Sequence, residues 1–108
     1  MSSKQSTVDF ITDQTQSAGR IRSRKMFGEY ALYCDEKVVA LICDDQLFVK
    51  PTEIGEKMLG HAPDAPPYPG AKLYFLVPEE KWDDRDFLTD LIQQTAALLP
   101  TPKLKKKK

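Results

Sequence analysis

One histidine, two cysteines and five glycines in 108 residues leave little from which to build the commoner kinds of active site. His61 sits in a proline-rich loop with no Ser/His/Asp or Cys/His spacing around it. The glycines form neither a phosphate-binding loop nor a dinucleotide fingerprint. Two cysteines and a single histidine cannot close a tetrahedral zinc site within one chain unless a carboxylate joins them. The acidic cluster Asp83, Asp84 and Asp86 is most simply explained as helix capping. No catalytic, metal-ligating or cofactor-binding set emerges, so a non-enzymatic protein without a cofactor is expected.

Long apolar runs are also missing. No stretch approaches the roughly 20 residues of a membrane span, and the polar segment Met1 to Asp9 has no apolar core of a secretion signal. The expected location is the cytoplasm, with no membrane partner. A basic surface is lacking too, although basic and acidic residues number 16 each. Five lysines crowd into the last six positions, so residues 1–102 carry 11 basic against 16 acidic residues, a net of −5. An acidic body argues against a broad duplex-DNA footprint.

What the chain does have is concentrated between Met26 and Pro51. Tyr30–Cys34, Val38–Cys43 and Leu47–Val49 are short apolar runs, and Asp35-Glu36-Lys37 and Asp44-Asp45 between them are too polar and short to be anything but turns. A three-stranded antiparallel meander follows. Its middle strand is apolar on both faces, with Val38, Ala40 and Ile42 on one side and Val39, Leu41 and Cys43 on the other, so both faces need cover. If the first hairpin turns on Glu36-Lys37, Cys43 falls opposite Tyr30. Four residues at about 3.3 Å each then hold the cysteine α-carbons more than about 10 Å apart, beyond the roughly 7 Å limit of a disulfide. Free thiols are expected.

The flanks supply helices. Ser6-x-x-Asp9 has the form of a capping box, and Val8, Ile11, Thr15 and Ala18 fall at helical spacing, giving a helix over Ser6 to Ala18 that stops at Gly19. Pro51 ends the third strand, Thr52 caps a two-turn helix Glu53–Leu59, and Gly60 closes it. Residues 61–70 hold four prolines and predict an ordered loop or a short edge strand. Lys72–Val77 is again strand-like and apolar on both sides. Asp83 or Asp84 then caps a long helix carrying Phe87, Leu88, Leu91, Ile92, Ala96, Leu98 and Leu99. The fold class is α+β: an antiparallel sheet of four to five strands, helices at both termini and a short middle helix, in the order α-β-β-β-α-β(-β)-α. Residues 1–100 are expected to form one domain and 101–108 a disordered basic tail. Three helices of this size cover one face of such a sheet, and the leftover apolar face predicts a homodimer.

Binding candidates are few. Arg20, Arg22, Arg24 and Lys25 form the only basic cluster of the body. If extended, the segment places the three arginines on one side, where they would meet phosphates or an acidic partner. The alternative is a solvated linker whose arginines pair with local carboxylates. Three or four phosphate contacts would be weak, losing roughly a hundredfold in affinity between about 50 and 200 mM salt. Lys50 ends an apolar strand opposite Val39, where its stem covers core and its ammonium reaches the sheet margin. Met26 and Phe27 look like core anchors, and Gly28 like a bend before the next strand.

Arg24-Lys25-Met26-Phe27-Gly28, followed by Tyr30-x-Leu32-Tyr33, Ala40-Leu41-Ile42, Asp44-Asp45-x-Leu47-Phe48-Val49-Lys50 and Tyr74-x-x-Val77-Pro78-Glu79-Glu80, with Asp83-Asp84 before the last helix, resembles the TfoX/Sxy N-terminal domain. The likeness runs from about Ser6 to Leu99. Two departures stand out: Glu29 occupies a position where a second glycine is usual, and Asp35-Glu36 replaces the common Asp-Gly turn. The resemblance implies an α+β fold similar to secretion chaperones. It also implies kinship with regulators that promote natural-competence genes together with the cyclic-AMP receptor protein. Those regulators carry a second, helical C-terminal domain, and this chain corresponds to the N-terminal module. The expected role is a small dimeric adaptor or regulatory module acting by protein contact; the alternative is a weak nucleic-acid-binding module using the Arg20 to Lys25 segment.

Overall fold

A computed structural model of the chain describes residues 3–26 and 29–99. Its sheet is set by two tight turns. Asp35 and Glu36 have φ of 52° and 70°, and Asp44 and Asp45 have 53° and 59°. Both turns are therefore of the left-handed kind whose twist matches that of flanking strands. They join β2 (Glu29–Cys34), β3 (Lys37–Cys43) and β4 (Gln46–Val49) into the expected meander.

The outer strands complete a five-stranded antiparallel sheet with neighbours in chain order. On one side β5 (Phe75–Val77) pairs with β4, and on the other β1 (Ile21–Met26) pairs with β2. The basic segment is thus an edge strand and not a linker. Its exposed Arg22, Arg24 and Lys25 discourage pairing with a foreign edge. Helices stand at both termini, α1 (Gln5–Gln14) and α4 (Arg85–Leu98), with α2 (Glu53–Leu59) in the middle and a single turn, α3 (Glu79–Trp82), before α4. The α+β class and element order are those expected. No helix among the described residues is long and apolar enough to cross a membrane.

The first hairpin differs in register from expectation. It turns on Asp35-Glu36, so Cys34 faces Lys37 and not Val39. Lys37 is drawn into the strand because its Nζ donates to the Ala96 carbonyl of α4 at 2.7 Å. A bulge beside Leu32 and Tyr33 then shifts the pairing, so that Tyr30 faces Ile42 and not Cys43. The inserted residue lets both Val39 and Ala40 join the core, each fully buried. Both cysteines are buried free thiols.

One face of the sheet carries the core. Leu32, Val39, Ile42, Leu47, Val49, Phe75 and Val77 meet Val8 and Ile11 of α1 and Leu88, Leu91 and Ile92 of α4. Trp82 is pinned at the margin by its indole N–H, which donates to the Val77 carbonyl at 3.1 Å. Thr52 caps α2 by accepting from the Gly55 N–H at 3.0 Å, and Gly60 ends it at φ 83°. Asp84 caps α4 by accepting from the Phe87 N–H at 3.1 Å. Leu98 departs from the expected apolar stripe of α4, being 55% exposed, while Leu99 beside it packs against the core.

The start of α1 also departs from expectation. Its N-cap is Lys4, with no side-chain cap from Ser6. Asp45, from the β3–β4 turn, does that work: its Oδ1 accepts from the Lys4 N–H at 2.7 Å and the Thr7 hydroxyl at 3.0 Å. The helix ends earlier than expected, at Gln14; the Thr15 hydroxyl donates to the Ile11 carbonyl at 2.8 Å, and a 3₁₀ turn, Gln16–Ala18, follows. The expectations for Phe27, Gly28 and the lysine tail fall outside the described residues.

Candidate partner-binding face

Strand alternation sorts the basic residues. β1 pairs Arg22 with Tyr33, Arg24 with Ala31 and Lys25 with Tyr30. Arg22 and Arg24 therefore share the face turned away from the helices. Lys25 lies on the opposite one, where the Tyr30 hydroxyl reaches Gln5 Oε1 at 3.3 Å. Arg20 precedes the strand; its backbone exchanges hydrogen bonds with Asp35, through the carboxylate at 2.8 Å and the N–H at 3.0 Å. Arg22 is already engaged, 3.1 Å from Glu36 Oε1 and stacked 4.7 Å from the Tyr33 ring centre. The four residues of the basic segment do not form a single ridge.

Lys50 joins the second face. Its N–H donates to the Val39 carbonyl at 2.9 Å, the pairing expected from the sequence, and the residue is half-buried. Burial pushes its ammonium pKa below the ordinary value. Among the described residues it makes neither of the two ion pairs, which are Arg22–Glu36 and Arg85–Asp13.

The rest of this face is apolar. Tyr33, Val38 and Leu41 are partly exposed, as are Tyr74 and Leu76 towards β5, while Ala31 and Phe48 are buried. The proline-rich segment folds back along it, tied by an Ala65–Tyr74 bridge, with Pro67 buried. Tyr68 stands out from that segment at 56% exposure. Between loop and strands lies a half-open cavity of about 740 Å³ lined by Met26, Val38, Leu41, Cys43, Lys50, Pro67 and Tyr74, with Glu29, Tyr30 and Asp44 among its remaining walls. Sequence reasoning did not find this cavity. The alternation of prolines about Tyr68 was the available signal, but where that loop lands is decided by tertiary packing.

Two further groups shape the site. The Cys43 thiol is pushed up to about 11, by burial first and then by the charges of Glu29 and Asp44, so it stays protonated at neutral pH. Glu29 is a brace: Oε1 accepts from the Ser3 N–H at 2.9 Å and the Ser3 hydroxyl at 2.8 Å, and Oε2 from the Asp44 N–H at 3.0 Å. A carboxylate here ties the N-terminus to the β3–β4 turn, a bond that the glycine usual at this position cannot make.

The model of the TfoX N-terminal domain matches residues 13–98 of the chain. The chain belongs to the TfoX N-terminal domain family. A curated relative, the "Uncharacterized 12.7 kDa protein in trpE 5'region" of Spirochaeta aurantia, is 42% identical over 108 residues, covering 100% of this chain and 93% of the relative. Membership suggests a competence-regulator-like module, and in this TfoX N-terminal domain the matched segment takes in the whole sheet and α2 to α4, beginning near the end of α1.

Proposed function

We propose that this TfoX N-terminal domain is a small, non-enzymatic regulatory adaptor in the cytoplasm that pairs with a second copy through the helix-free face of its sheet and acts by protein contact. The supporting observation is the character of that face. Val38, Leu41, Tyr74 and Leu76 are partly exposed there, and Tyr68 projects from its border. Contiguous apolar surface of this kind marks an interaction site, and a copy of the same face is the simplest partner. Sedimentation of the chain at micromolar concentration tests the pairing: a dimer is expected, and a monomer overturns it. The candidate regulatory partner is a transcription factor of the cyclic-AMP receptor type, tested by pull-down.

Nucleic-acid contact is the second reading, carried by Arg24, which shares the face with Arg22 and has no ion-pair partner among the described residues. A salt-dependent shift assay decides it. Binding by a chain lacking Lys103 to Lys108, with a salt slope of about −2, would favour the arginines over adaptor action.

A further inference from the structure

The cavity on the helix-free face has a chemistry of its own. Its volume of about 740 Å³ suits a small organic molecule. Val38, Leu41, Cys43 and Pro67 give it apolar walls, and Lys50 is the one cation among its described lining residues. Lys50 is half-buried and makes neither of the ion pairs among the described residues, so its ammonium is a point of attraction for an anion. The opposite end is acidic. From Val38 to Cys43 the wall runs five residues, roughly 16 Å, towards Glu29 and Asp44. Glu29 has both oxygens bonded to Ser3 and Asp44 N–H or O–H groups, so its charge is held in place.

We infer that the cavity binds a small amphipathic monoanion, a carboxylate on a hydrocarbon body, with the carboxylate on Lys50 and the body lying over Val38 and Leu41 towards Cys43. The polarity sets the selection. A second anionic group at the far end would meet Glu29 and Asp44. This site uses the same sheet face as the proposed self-association but does not require it.

Decanoate, below the concentration at which it self-associates, is the probe, titrated calorimetrically into the full chain beside decanol and decanedioate. Decanoate is expected to bind saturably, about tenfold or more tighter than either analogue, because decanol lacks the charge for Lys50 and the dicarboxylate brings a second one to Glu29 and Asp44. Lys50→Met should bring decanoate down to the decanol level while the unfolding midpoint is kept. A second measurement needs no variant: bound decanoate should shift the amide resonances of Leu41 and Cys43 and leave those of α4 in place. Absence of saturable binding, equal binding of decanoate and decanol, unchanged affinity in folded Lys50→Met, or unmoved Leu41 and Cys43 resonances at saturation would each overturn the assignment. Sedimentation of the same samples separates the two proposals. A dimer that ignores decanoate removes the ligand and keeps the pairing, whereas a monomer that binds it does the reverse.

Discussion

At the scale of single residues, the tightest constraint is Gly55. A Cβ built there would lie 2.7 Å from Cε2 of Phe75, a fully buried ring, and 3.0 Å from the Thr52 hydroxyl that caps the same helix. Alanine is the better helix former by roughly 0.5–1 kcal/mol, but overpacking a closed core costs about 1–3 kcal/mol. Gly55→Ala is therefore expected to lose about 1 kcal/mol in urea unfolding, the reverse of what propensity alone says. Cys43 makes a prediction in pH. Its pKa is raised from an ordinary 9.0 to about 11 in the folded protein. Unfolding lets the thiol ionise more readily, so its contribution is complete below pH 9 and is lost as the pH climbs towards 11. Cys34 is raised as well, by burial first and then by Asp35. Comparing wild type with Cys43→Ala at each pH isolates the one residue: the difference in unfolding free energy should shrink between pH 9 and 11.

Among the elements, the turns carry the strain. Glu36 is held at φ 70°, where a side chain is disfavoured by roughly 1–2 kcal/mol. Its exposed pair with Arg22 returns at most about 1 kcal/mol, and Arg22 keeps its place on Tyr33 without it. Glu36→Gly should accordingly raise stability by about 0.5 kcal/mol, read as a higher urea midpoint. Asp45 works differently, since a carboxylate in the second turn stands in for the missing cap of α1. Its pKa is lowered chiefly by the Lys4 N–H, with a further contribution from Thr7, so its contribution is present above pH 3.8 and fades as the pH falls below that. Asp45→Ala should lower the thermal midpoint at pH 7, and the gap to wild type should close in acid.

These same elements show how far the sequence could be read. The second helix was legible to the residue, because Thr52 and Gly60 are local signals that bracket it. The first helix was misplaced at its start, because Asp45 reaches it from 41 residues away in the case of Lys4. The first turn was off by one for a similar reason: three polar residues in a row left the choice to Lys37, and Lys37 is claimed by Ala96, 59 residues on. The sheet's apolar character was plain, as was the likeness between Arg24-Lys25-Met26-Phe27-Gly28 and the family. The cavity was not, since it depends on where ten loop residues rich in proline come to rest.

At the scale of the whole molecule, large apolar side chains among the described residues are exposed both beside the cavity and on the helices, which allows the pairing surface to be tested without disturbing the fold. Tyr68 lines the cavity on the helix-free face at 56% exposure, whereas Phe10 on α1 and Leu98 on α4 belong to the helical side, 41% and 55% exposed. All three are solvated enough that changing them should move stability by no more than about 0.5 kcal/mol. If two copies meet through the sheet, Tyr68→Ser removes an aromatic anchor from the interface and should weaken dimerisation by about tenfold or more, since a few such anchors carry most of the binding. Phe10→Ser with Leu98→Ser removes apolar surface from the other side and should leave the dimer constant unchanged. Sedimentation equilibrium on both variants reads the contrast directly. Loss of association in the helical pair alone would move the interface to the helices and leave the second sheet face to the cavity and its ligand.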